Sequence, residues 1–418
     1  MHLSLVGVNH QTAPVAVREK VAVNADKLGN ALSLLQSYVP QGIILSTCNR
    51  TEIYTIHSNG DMGEASLSFL KAQVDMPHAD LSKYVDISAD RAAVEHLFRV
   101  TCGLESMIVG EFEVLGQVGQ ALEAAEKAGT VDQPLRYVFQ SAIRTGRRVR
   151  QETGISKNAL SASSVAVDLA TNAIGELRNA KILVLGAGEA GRLVVKVARE
   201  RGASQIVVAS RTRERASALA ATLGGRPIDL SELTDELATT NIVVACAGAP
   251  HWLLGAQQVQ ETMKARPGTP LVIIDIAVPR NVESAVKQIG NVFLYNIDDL
   301  TEIAESNRKQ REGETEKAEA IIAAEVDKCL SWWQELQVQP VVSALMSKAE
   351  EIRATQLKKT MKRLRPLSNE EQESLEAMTK SIVTKILKDP VKSLKANGNN
   401  GDYAAVISKI FRLDEEKR

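Results

Sequence analysis

Short apolar runs alternate with amphipathic stretches through the middle of the chain. Five of these runs predict β-strands: Ile182–Leu185, Ile206–Ala209, Ile242–Ala247, Leu271–Ile274 and Val292–Tyr295. Each run is apolar at consecutive positions, which is the pattern of a strand buried on both faces, and helical stretches separate the runs. This alternation predicts a doubly wound α/β domain with a parallel sheet.

The first 150 residues have a mixed pattern. Leu3–Val8 and Ile43–Ser46 predict strands, and Asp26–Ser37 predicts an amphipathic helix between them. Ala89–Val100 carries apolar residues at helical spacing, so it predicts a further helix with one wide buried side. Residues 1–150 are therefore expected to form an α+β domain.

The last third of the chain is helical in pattern. Residues 298–336 contain no proline and one glycine, Gly313, and predict one long helix. Further helices are predicted through Val341–Leu364, Asn369–Leu387 and Asp402–Ile410. Such a helical tail is typical of an oligomerisation element, and a tail that packs only on its own chain is the alternative. We therefore divide the chain into residues 1–150, 151–297 and 298–418, the last an all-α dimerisation domain.

With 418 residues, 44% of them hydrophobic and 24% charged, the chain has the composition of a globular protein of two or three domains. Its net charge of −1 argues against a protein that binds nucleic acid by bulk charge. The four cysteines form no CxxC pair, and no metal-ligand spacing is present. The chain start lacks the features of a signal peptide, and no apolar run reaches the roughly 18 residues of a membrane span. These features predict a cytoplasmic protein without a metal site.

A glycine-rich motif follows the first strand of the α/β region and opens the predicted helix Ala190–Arg201. It consists of Gly186, Ala187, Gly188, Glu189, Ala190 and Gly191. In a Rossmann dinucleotide site the first glycine makes a tight turn, the second lets the backbone approach a pyrophosphate, and the third allows close helix–strand packing. The helix N-terminus presents free N–H groups to the phosphates. These six residues are therefore predicted to bind a dinucleotide cofactor.

The end of the second strand of this region bears on which dinucleotide binds. NAD sites usually carry an acidic residue there, which binds the ribose 2′-hydroxyl. Here Ser210 and Arg211 follow the strand, and a hydroxyl with a guanidinium suits a 2′-phosphate. We therefore expect NADP(H), with NADPH as the reducing form. A domain that binds another nucleotide, or has lost binding, is the alternative.

A second motif, Ser46–Glu52, comes at the end of a predicted strand in the first domain. It contains Cys48, with Arg50 two residues on. A nearby guanidinium is expected to lower the pKa of the thiol and favour the nucleophilic thiolate. A buried, inert cysteine is the alternative, and the three other cysteines are interpreted that way. A thiolate in one domain and a hydride donor in another allow an acyl group to be captured as a thioester and reduced to an aldehyde.

Five segments resemble the sequence signatures of the glutamyl-tRNA reductase family. They are Gly7–Pro14, Leu45–Glu52, Gly103–Glu111, Gly186–Gly191 and Asp275–Arg280, in matching order along the chain. The resemblance implies an NADPH-dependent enzyme that reduces glutamate esterified to its tRNA to glutamate-1-semialdehyde and releases the tRNA. This reaction is the first step of the five-carbon route to tetrapyrroles such as porphyrins. In the family, the cysteine matching Cys48 attacks the ester and holds the glutamyl group as a thioester.

The resemblance also implies which residues form the active site. His96 matches a histidine that the family needs for activity, with a purely structural role as the alternative, and Arg50 suits the side-chain carboxylate of the substrate. The glutamate pocket is implied to contain Thr47, Asn49, Arg50, Ser106, Glu111, Phe112, Glu113 and Gln117. Phe112 and Glu113 stand where the bacterial pattern usually has Pro and Gln, which adds a charge near an anionic substrate.

The same resemblance implies partners. They are glutamyl-tRNA, a second copy of the chain bound through the C-terminal helices, and the glutamate-1-semialdehyde aminotransferase that consumes the reactive product. Two basic patches, Arg136–Lys157 and Arg353–Arg365, are candidates for contact with tRNA phosphates. Two other functions are considered: a non-catalytic NADP(H)-responsive dimer, and a dehydrogenase that reduces a free ketone.

Overall fold

The computed structural model of the chain describes residues 2–57, 63–74, 81–111, 113–155, 161–300, 312–364, 367–396 and 401–413. The chain divides into two compact units, Met1–Val326 and Asp327–Arg418. The first unit contains a four-stranded sheet and a six-stranded sheet, each with its own helices. The described part of the second unit is helical.

An antiparallel sheet forms the centre of the N-terminal domain. Its strands are β1 (His2–Asn9), β2 (Gln41–Ser46), β3 (Arg50–His57) and β4 (Asp86–Ala89), in the order β2-β3-β1-β4. The sequence predicted β1 and β2 but not β3, because β3 begins with the polar residues Arg50, Thr51 and Glu52. All three side chains are nevertheless buried. Because its first residues are polar, β3 lacks the apolar pattern by which a central strand is predicted from sequence.

Helices pack around this sheet and complete the α+β fold that the sequence predicted. They are α1 (Val15–Val21), α2 (Ala25–Leu35), α3 (Glu64–Gln73), α4 (Asp90–Thr101), α5 (Glu113–Ala128) and α6 (Gln133–Glu152). Helices α4 and α6 pack against each other. Tyr54 of β3 meets Phe139 of α6 edge to face, with ring centroids 5.3 Å apart, which ties the sheet to the helical layer.

A parallel sheet forms the second domain of this unit. Its strands are β5 (Lys181–Leu185), β6 (Gln205–Ser210), β7 (Arg226–Asp229), β8 (Ile242–Ala245), β9 (Leu271–Asp275) and β10 (Val292–Asn296). The order is β10-β9-β8-β5-β6-β7, and neighbouring strands are parallel. This order reverses beside β5, as in a Rossmann sheet, and confirms the doubly wound prediction. The sequence missed only the short edge strand β7, which contains Pro227.

Helices cover both faces of the parallel sheet. They are α7 (Ala162–Ile174), α8 (Glu189–Glu200), α9 (Arg213–Leu223), α10 (Leu233–Leu237) and α11 (Ala256–Ala265). Because successive strand residues point to opposite faces, Val184 and Val208 pack with α7, α8 and α9, whereas Leu185 and Val207 pack with α10 and α11. Burial on both faces explains why these strands are apolar at consecutive positions.

Long helices form the described end of the chain. They are α12 (Glu312–Met361), α13 (Asn369–Ala396) and α14 (Gly401–Ile410). The start of α12, as far as Val326, belongs to the first unit, where Ala318, Ile322 and Val326 are buried at intervals of four and Glu319 pairs with Arg99 of α4. Residues 301–311 of the predicted long helix lie outside the described residues. None of the described helices combines the length and the apolar character needed to cross a membrane.

Two predicted helix boundaries are wrong, although the all-α character of this end is confirmed. Helix α12 continues through Pro340, where two separate helices were expected, and α13 continues through Pro390, beyond its expected end. Residues on the far side of each proline, among them Val342 and Leu394, belong to the apolar core of the second unit. Their burial outweighs the backbone hydrogen bond that each proline removes.

Candidate active site

The Cys48 segment forms the tight connection between β2 and β3. The Thr47 N–H donates to the Arg50 carbonyl at 2.8 Å, and the Asn49 N–H donates to the Thr47 hydroxyl at 3.1 Å. Arg18 of α1 donates from Nη1 to the Cys48 carbonyl at 2.8 Å. These bonds hold the loop of an antiparallel hairpin, of which the sequence predicted only the first strand.

The half-buried thiol of Cys48 lies close to negative charge. Burial, together with the carboxylates of Glu111 and Glu113, raises the pKa of this thiol to about 12, and Arg18 offsets only part of the rise. The expectation that Arg50 lowers the pKa of the thiol is wrong. The Arg50 guanidinium is bonded to the carboxylate of Glu52 and does not stabilise the thiolate. In the resting protein at neutral pH the Cys48 side chain is therefore a protonated thiol.

Glu52 is a fully buried carboxylate at the centre of a polar cluster. It accepts hydrogen bonds from Arg50 Nη1 at 2.7 Å and from the Tyr54 hydroxyl at 2.7 Å, and its Oε1 lies 2.8 Å from His96 Nε2. Burial acts to raise the pKa of Glu52, but Arg50 and His96 outweigh it and hold that pKa at about 2. Arg50 also donates from Nη2 to the Glu105 carbonyl. The cluster therefore links β3 to α4 and to the loop that follows α4.

The contact with Glu52 defines the tautomer of His96. An ionised carboxylate only accepts hydrogen bonds, so His96 Nε2 carries a hydrogen and donates a hydrogen bond to Glu52. Nδ1 is then the ring nitrogen that can accept a proton during a reaction. A carboxylate that fixes the ring and tautomer of a histidine is a recurring arrangement in acid–base sites. This geometry is compatible with the catalytic role that the family resemblance implies for His96.

Sequence reasoning missed the roles of Glu52 and Tyr54. Both residues lie in β3, the strand that the sequence did not predict. Alternate residues of a strand share a face, so Arg50, Glu52 and Tyr54 point the same way and bury their polar groups together. The spacing of two residues indicates a shared polar face only once the segment is recognised as a strand.

The other predicted pocket residues lie on the loop before α5 and on that helix. Ser106 and Glu111 are buried and hydrogen-bonded to each other, Glu113 begins α5, and Gln117 lies half-buried on the same helix. Burial, followed by the charge of Glu113, raises the pKa of Glu111 to about 7. Phe112 lies outside the described residues.

A narrow crevice runs from this region to the α/β domain. Its walls are Asn49, Met107, Ile108 and Glu111 on one side and Ala162, Ile297 and Leu300 on the other. Asn49 is buried, and its Oδ1 has no hydrogen-bond partner among the described residues. Buried acceptors are normally paired, so this atom marks a place for a donor group on a ligand.

The predicted glycine motif lines a second cavity, at the carboxyl ends of β5, β6 and β8. Gly186 has a φ of 124°, and a Cβ on Gly191 would lie 2.0 Å from the Gly186 carbonyl oxygen, so only glycine fits at both positions. Gly188 differs, because no protein atom lies within 4 Å of its Cβ position, which leaves room for a ligand. The turn from β5 to α8 has the shape that a nicotinamide dinucleotide requires.

The remaining predicted cofactor residues surround the same turn. Ala187, Ser210 and Arg211 line the cavity, and Glu189 and Ala190 form the first turn of α8. Sequence reasoning missed further lining residues, which include Thr212, Arg215, Ala247, Gly248 and His251. Several of them follow β8, whose place beside β5 only the sheet order reveals. Within the described ranges, no group of three or more His, Cys, Asp or Glu residues is placed to hold a metal ion.

Comparison with known proteins identifies the family. The glutamyl-tRNA reductase of Natranaerobius thermophilus is 39% identical to this chain over 424 residues, which cover 100% of the chain and 93% of the relative. The chain belongs to the glutamyl-tRNA reductase family. A reductase from Moorella thermoacetica is 40% identical, with 99% of this chain and 95% of the relative covered. The solved structure of glutamyl-tRNA reductase from Methanopyrus kandleri matches with a TM-score of 0.52 and 33% identity, covering 99% of both chains.

Three family models match successive parts of the chain. Residues 6–153 match the glutamyl-tRNAGlu reductase N-terminal domain, residues 168–303 match shikimate/quinate 5-dehydrogenase, and residues 317–413 match the glutamyl-tRNAGlu reductase dimerisation domain. The middle match indicates a nicotinamide nucleotide domain of the dehydrogenase type. The flanking matches confirm the predicted family and favour the glutamyl-tRNA reductase reading over a free-ketone dehydrogenase.

Replacing Glu52 with Gln is expected to lower the free energy of unfolding by about 3 kcal/mol, because the buried Arg50 cation then loses its counter-charge. Urea denaturation followed by circular dichroism measures the change at the first unfolding transition. Glu123→Gln, which breaks an exposed pair with Lys127, is the control and should show no measurable loss.

The same variant makes a prediction about pH. The pKa of Glu52 lies at about 2 in the folded protein, below the ordinary value of 4.5, so its stabilising effect is complete above about pH 4.5. The difference between wild type and Glu52→Gln should shrink as the pH falls from about 4.5 toward 2. A difference that grows in acid would contradict the assignment.

The raised pKa of Cys48 predicts slow alkylation by iodoacetamide. Between about pH 7 and 9 the rate should rise roughly tenfold per pH unit without reaching a plateau, because the thiolate fraction is still increasing. Glu113→Gln removes a nearby negative charge, lowers the pKa of the thiol and should speed alkylation about 3- to 10-fold at pH 8. Mass spectrometry of the Cys48 peptide separates this thiol from the other three. A plateau below pH 9 in the wild type would refute the assignment.

Proposed function

We propose that this chain reduces glutamyl-tRNA to glutamate-1-semialdehyde with NADPH, through a thioester on Cys48, as the first step of tetrapyrrole synthesis. The observation that carries the proposal is the position of Cys48. It lies in the hairpin of a reductase-family N-terminal domain, and its neighbours Asn49 and Glu111 line a crevice whose other wall is the nucleotide-binding domain. An acyl group carried on Cys48 therefore lies near the domain that supplies reducing power.

The proposed reaction begins with the Cys48 thiolate. Its sulfur attacks the carbonyl carbon of the glutamyl ester, the C–S bond forms, and the bond to the ribose oxygen of the tRNA breaks as that oxygen takes up a proton. NADPH, when bound, supplies the hydride that reduces the thioester carbonyl and is itself oxidised to NADP⁺. Collapse of the reduced carbon to the aldehyde expels the Cys48 thiolate, which regains a proton.

Protons are moved and charges are held by residues around the hairpin. We assign proton transfer to the leaving oxygen to His96: its Nδ1 first takes up a proton from water and then delivers it to that oxygen, while Glu52 holds the ring through Nε2. Glu111, with its pKa raised to about 7, is suited to take the proton of the Cys48 thiol. Thiol deprotonation must accompany substrate binding, because the pKa of the free thiol is too high for attack at neutral pH.

The glutamate pocket is assigned to the residues that the family resemblance implies, of which Phe112 lies outside the described residues. They are Thr47, Asn49, Arg50, Ser106, Glu111, Phe112, Glu113 and Gln117. The unpaired Oδ1 of Asn49 suits the α-ammonium group of the substrate. Arg50 is assigned to the side-chain carboxylate. Because its Nη atoms already donate to Glu52 and to the Glu105 carbonyl, substrate binding exchanges one of these bonds.

A single-turnover assay with tRNA carrying labelled glutamate tests the proposal. Wild type without NADPH should accumulate labelled protein that hydroxylamine releases, and NADPH should convert that label to the semialdehyde. Cys48→Ser should give neither product, while Cys246→Ser, a cysteine outside the hairpin, should still form the thioester. If the wild type binds NADPH but leaves the glutamyl ester intact, the reductase proposal fails. The NADP(H)-responsive dimer then becomes the better hypothesis.

NADPH rather than NADH is the proposed cofactor, and Arg211 and Arg215 carry the preference. Both side chains are exposed at the rim of the cavity that the glycine motif lines. Removing both guanidinium groups should weaken NADPH binding about 10- to 100-fold through lost charge-assisted hydrogen bonds to the 2′-phosphate, with little effect on NADH. Fluorescence titration of Arg211→Ala/Arg215→Ala measures both affinities. Arg213→Ala, whose side chain pairs with Asp229, is the control; equal weakening of both cofactors would contradict the assignment.

A homodimer through the C-terminal helices is proposed from the apolar surface of α13. Met378, Ile382 and Ile386 follow one another at intervals of four and are 52%, 50% and 65% exposed, so they form one uncovered stripe. Ile386→Glu should raise the dimer dissociation constant at least tenfold in sedimentation velocity experiments. Thr384→Glu is the control, because it lies about half a turn away; a dimer that Ile386→Glu leaves intact would rule out this face.

The basic patches differ in how far their side chains are free for tRNA. In the first patch Arg148 pairs with Glu152 and Glu325, and Arg150 donates to the Glu111 carbonyl. In the second patch the exposed cations are Lys358, Lys359, Lys362 and Arg363. We propose these four as tRNA phosphate contacts. The cytoplasm, which holds tRNA and keeps thiols reduced, is the proposed location, and the aminotransferase that uses the aldehyde is a proposed partner.

A further inference from the structure

Two adjacent residues of α1 bond to the nucleotide-binding domain. Glu19 accepts hydrogen bonds from Arg280 Nε at 2.9 Å and from Arg280 Nη2 at 2.6 Å. Arg18 donates from Nη2 to Asp298, whose other oxygen accepts the Val15 N–H at 3.0 Å. Arg280 follows β9 and Asp298 follows β10, so both contacts lie at the carboxyl edge of the parallel sheet.

Of these two contacts, only the one made by Arg18 also involves the Cys48 loop. The Arg18 guanidinium is 2% exposed, and its Nη1 donates to the Cys48 carbonyl at 2.8 Å. Its Nε finds no hydrogen-bond partner among the described residues, although the atom is buried. A buried N–H without a partner lowers the stability of the fold, so the other contacts of this guanidinium must offset that loss.

The far end of the bridge is itself fixed. The Asp298 N–H donates to the Asn296 side-chain oxygen at 2.7 Å, and the Asn296 N–H donates to the Asp299 carboxylate at 2.7 Å. Asn296 is the last residue of β10, which pairs in parallel with β9. A displacement of β10 would therefore move the Asp298 carboxylate. Through the Arg18 guanidinium it would also move the backbone of Cys48.

We propose that Arg18 is a positioning residue that couples the Cys48 hairpin to the nucleotide-binding domain through Asp298. The inference rests on the proposed function. Attack on the ester requires the hairpin and the substrate pocket, both in the N-terminal domain. Hydride transfer requires, in addition, that the thioester carbon be held at a fixed distance and orientation relative to the nucleotide-binding domain. Breaking the bridge at Asp298 therefore impairs the second step more than the first, because reacting groups tolerate little misplacement.

The test separates these two steps in single-turnover experiments. Thioester formation is measured without NADPH, and NADPH oxidation is then measured on the preformed thioester. Asp298→Asn should slow the second phase about 10- to 100-fold and the first less than about twofold. Arg18→Lys, which keeps the charge and one donor, should retain more of the second phase than Arg18→Ala. Thermal unfolding of each variant confirms that it is folded.

Glu19→Gln is the matched control, because it weakens the neighbouring contact to Arg280 without touching the Cys48 loop. If Glu19→Gln slows hydride transfer as much as Asp298→Asn, the effect is general loosening of the interface and the proposal is overturned. Equal slowing of both phases by Asp298→Asn also overturns it.

Amide hydrogen exchange supplies a readout that does not depend on glutamyl-tRNA. The hairpin amides at 46–51 should exchange several-fold faster in Asp298→Asn than in the wild type or in Glu19→Gln. Unchanged exchange in Asp298→Asn refutes the coupling even if the enzyme assay succeeds. If the wild type forms no thioester but the hairpin responds to Asp298→Asn, the proposed function fails while the structural coupling stands.

Discussion

A carboxylate with no access to water organises the interior of the N-terminal domain. A buried charge is tolerated only when opposite charge and hydrogen-bond donors surround it, so Glu52 requires Arg50, Tyr54 and His96 in their observed places. The requirement fixes β3 against α4, and with β3 it fixes the hairpin that presents Cys48. The orientation of His96 and the position of Cys48 thus depend on the same buried charge.

The electrostatics around Cys48 oppose its ionisation. Burial disfavours the thiolate, and the carboxylates of Glu111 and Glu113 add to that effect. Both carboxylates therefore place negative charge near the Cys48 sulfur. The pKa of Glu111 is raised to about 7, so protonation of this carboxyl near neutral pH removes one of the two charges that oppose the thiolate. The ionisation of Cys48 therefore depends on the protonation of its neighbour.

Regular periodicity carried most of the fold prediction. The apolar strands of the parallel sheet, the glycine turn and the helices α2 and α4 are visible because their side chains follow one period and one polarity. Strand β3 was missed because its first residues are polar and buried together. The helix ends at Pro340 and Pro390 were wrong because packing in the second unit outweighs a local preference. Local sequence reports neither of these tertiary effects.

The same limit applies within the candidate site. Cys48 and the glycine motif were predicted because motif chemistry is local, whereas the role of His96 followed from the family resemblance. Arg18 and Asp298 are 280 positions apart, and nothing in either neighbourhood indicates that a guanidinium joins them. The direction of the Cys48 pKa shift was also wrong, because closeness in sequence to Arg50 does not place the guanidinium beside the sulfur. Charge effects depend on distance in space, which the fold determines.

The protonated state of Cys48 has a consequence for the lifetime of the enzyme. Peroxides and electrophilic metabolites attack the thiolate, and their reaction with a neutral thiol is slower by orders of magnitude. An enzyme that kept its nucleophile ionised between turnovers would lose it steadily to sulfenic and sulfinic acids. Burial and the carboxylates of Glu111 and Glu113 keep the proton on the Cys48 sulfur, and in the proposed reaction they confine that risk to the time during which a glutamyl ester occupies the pocket.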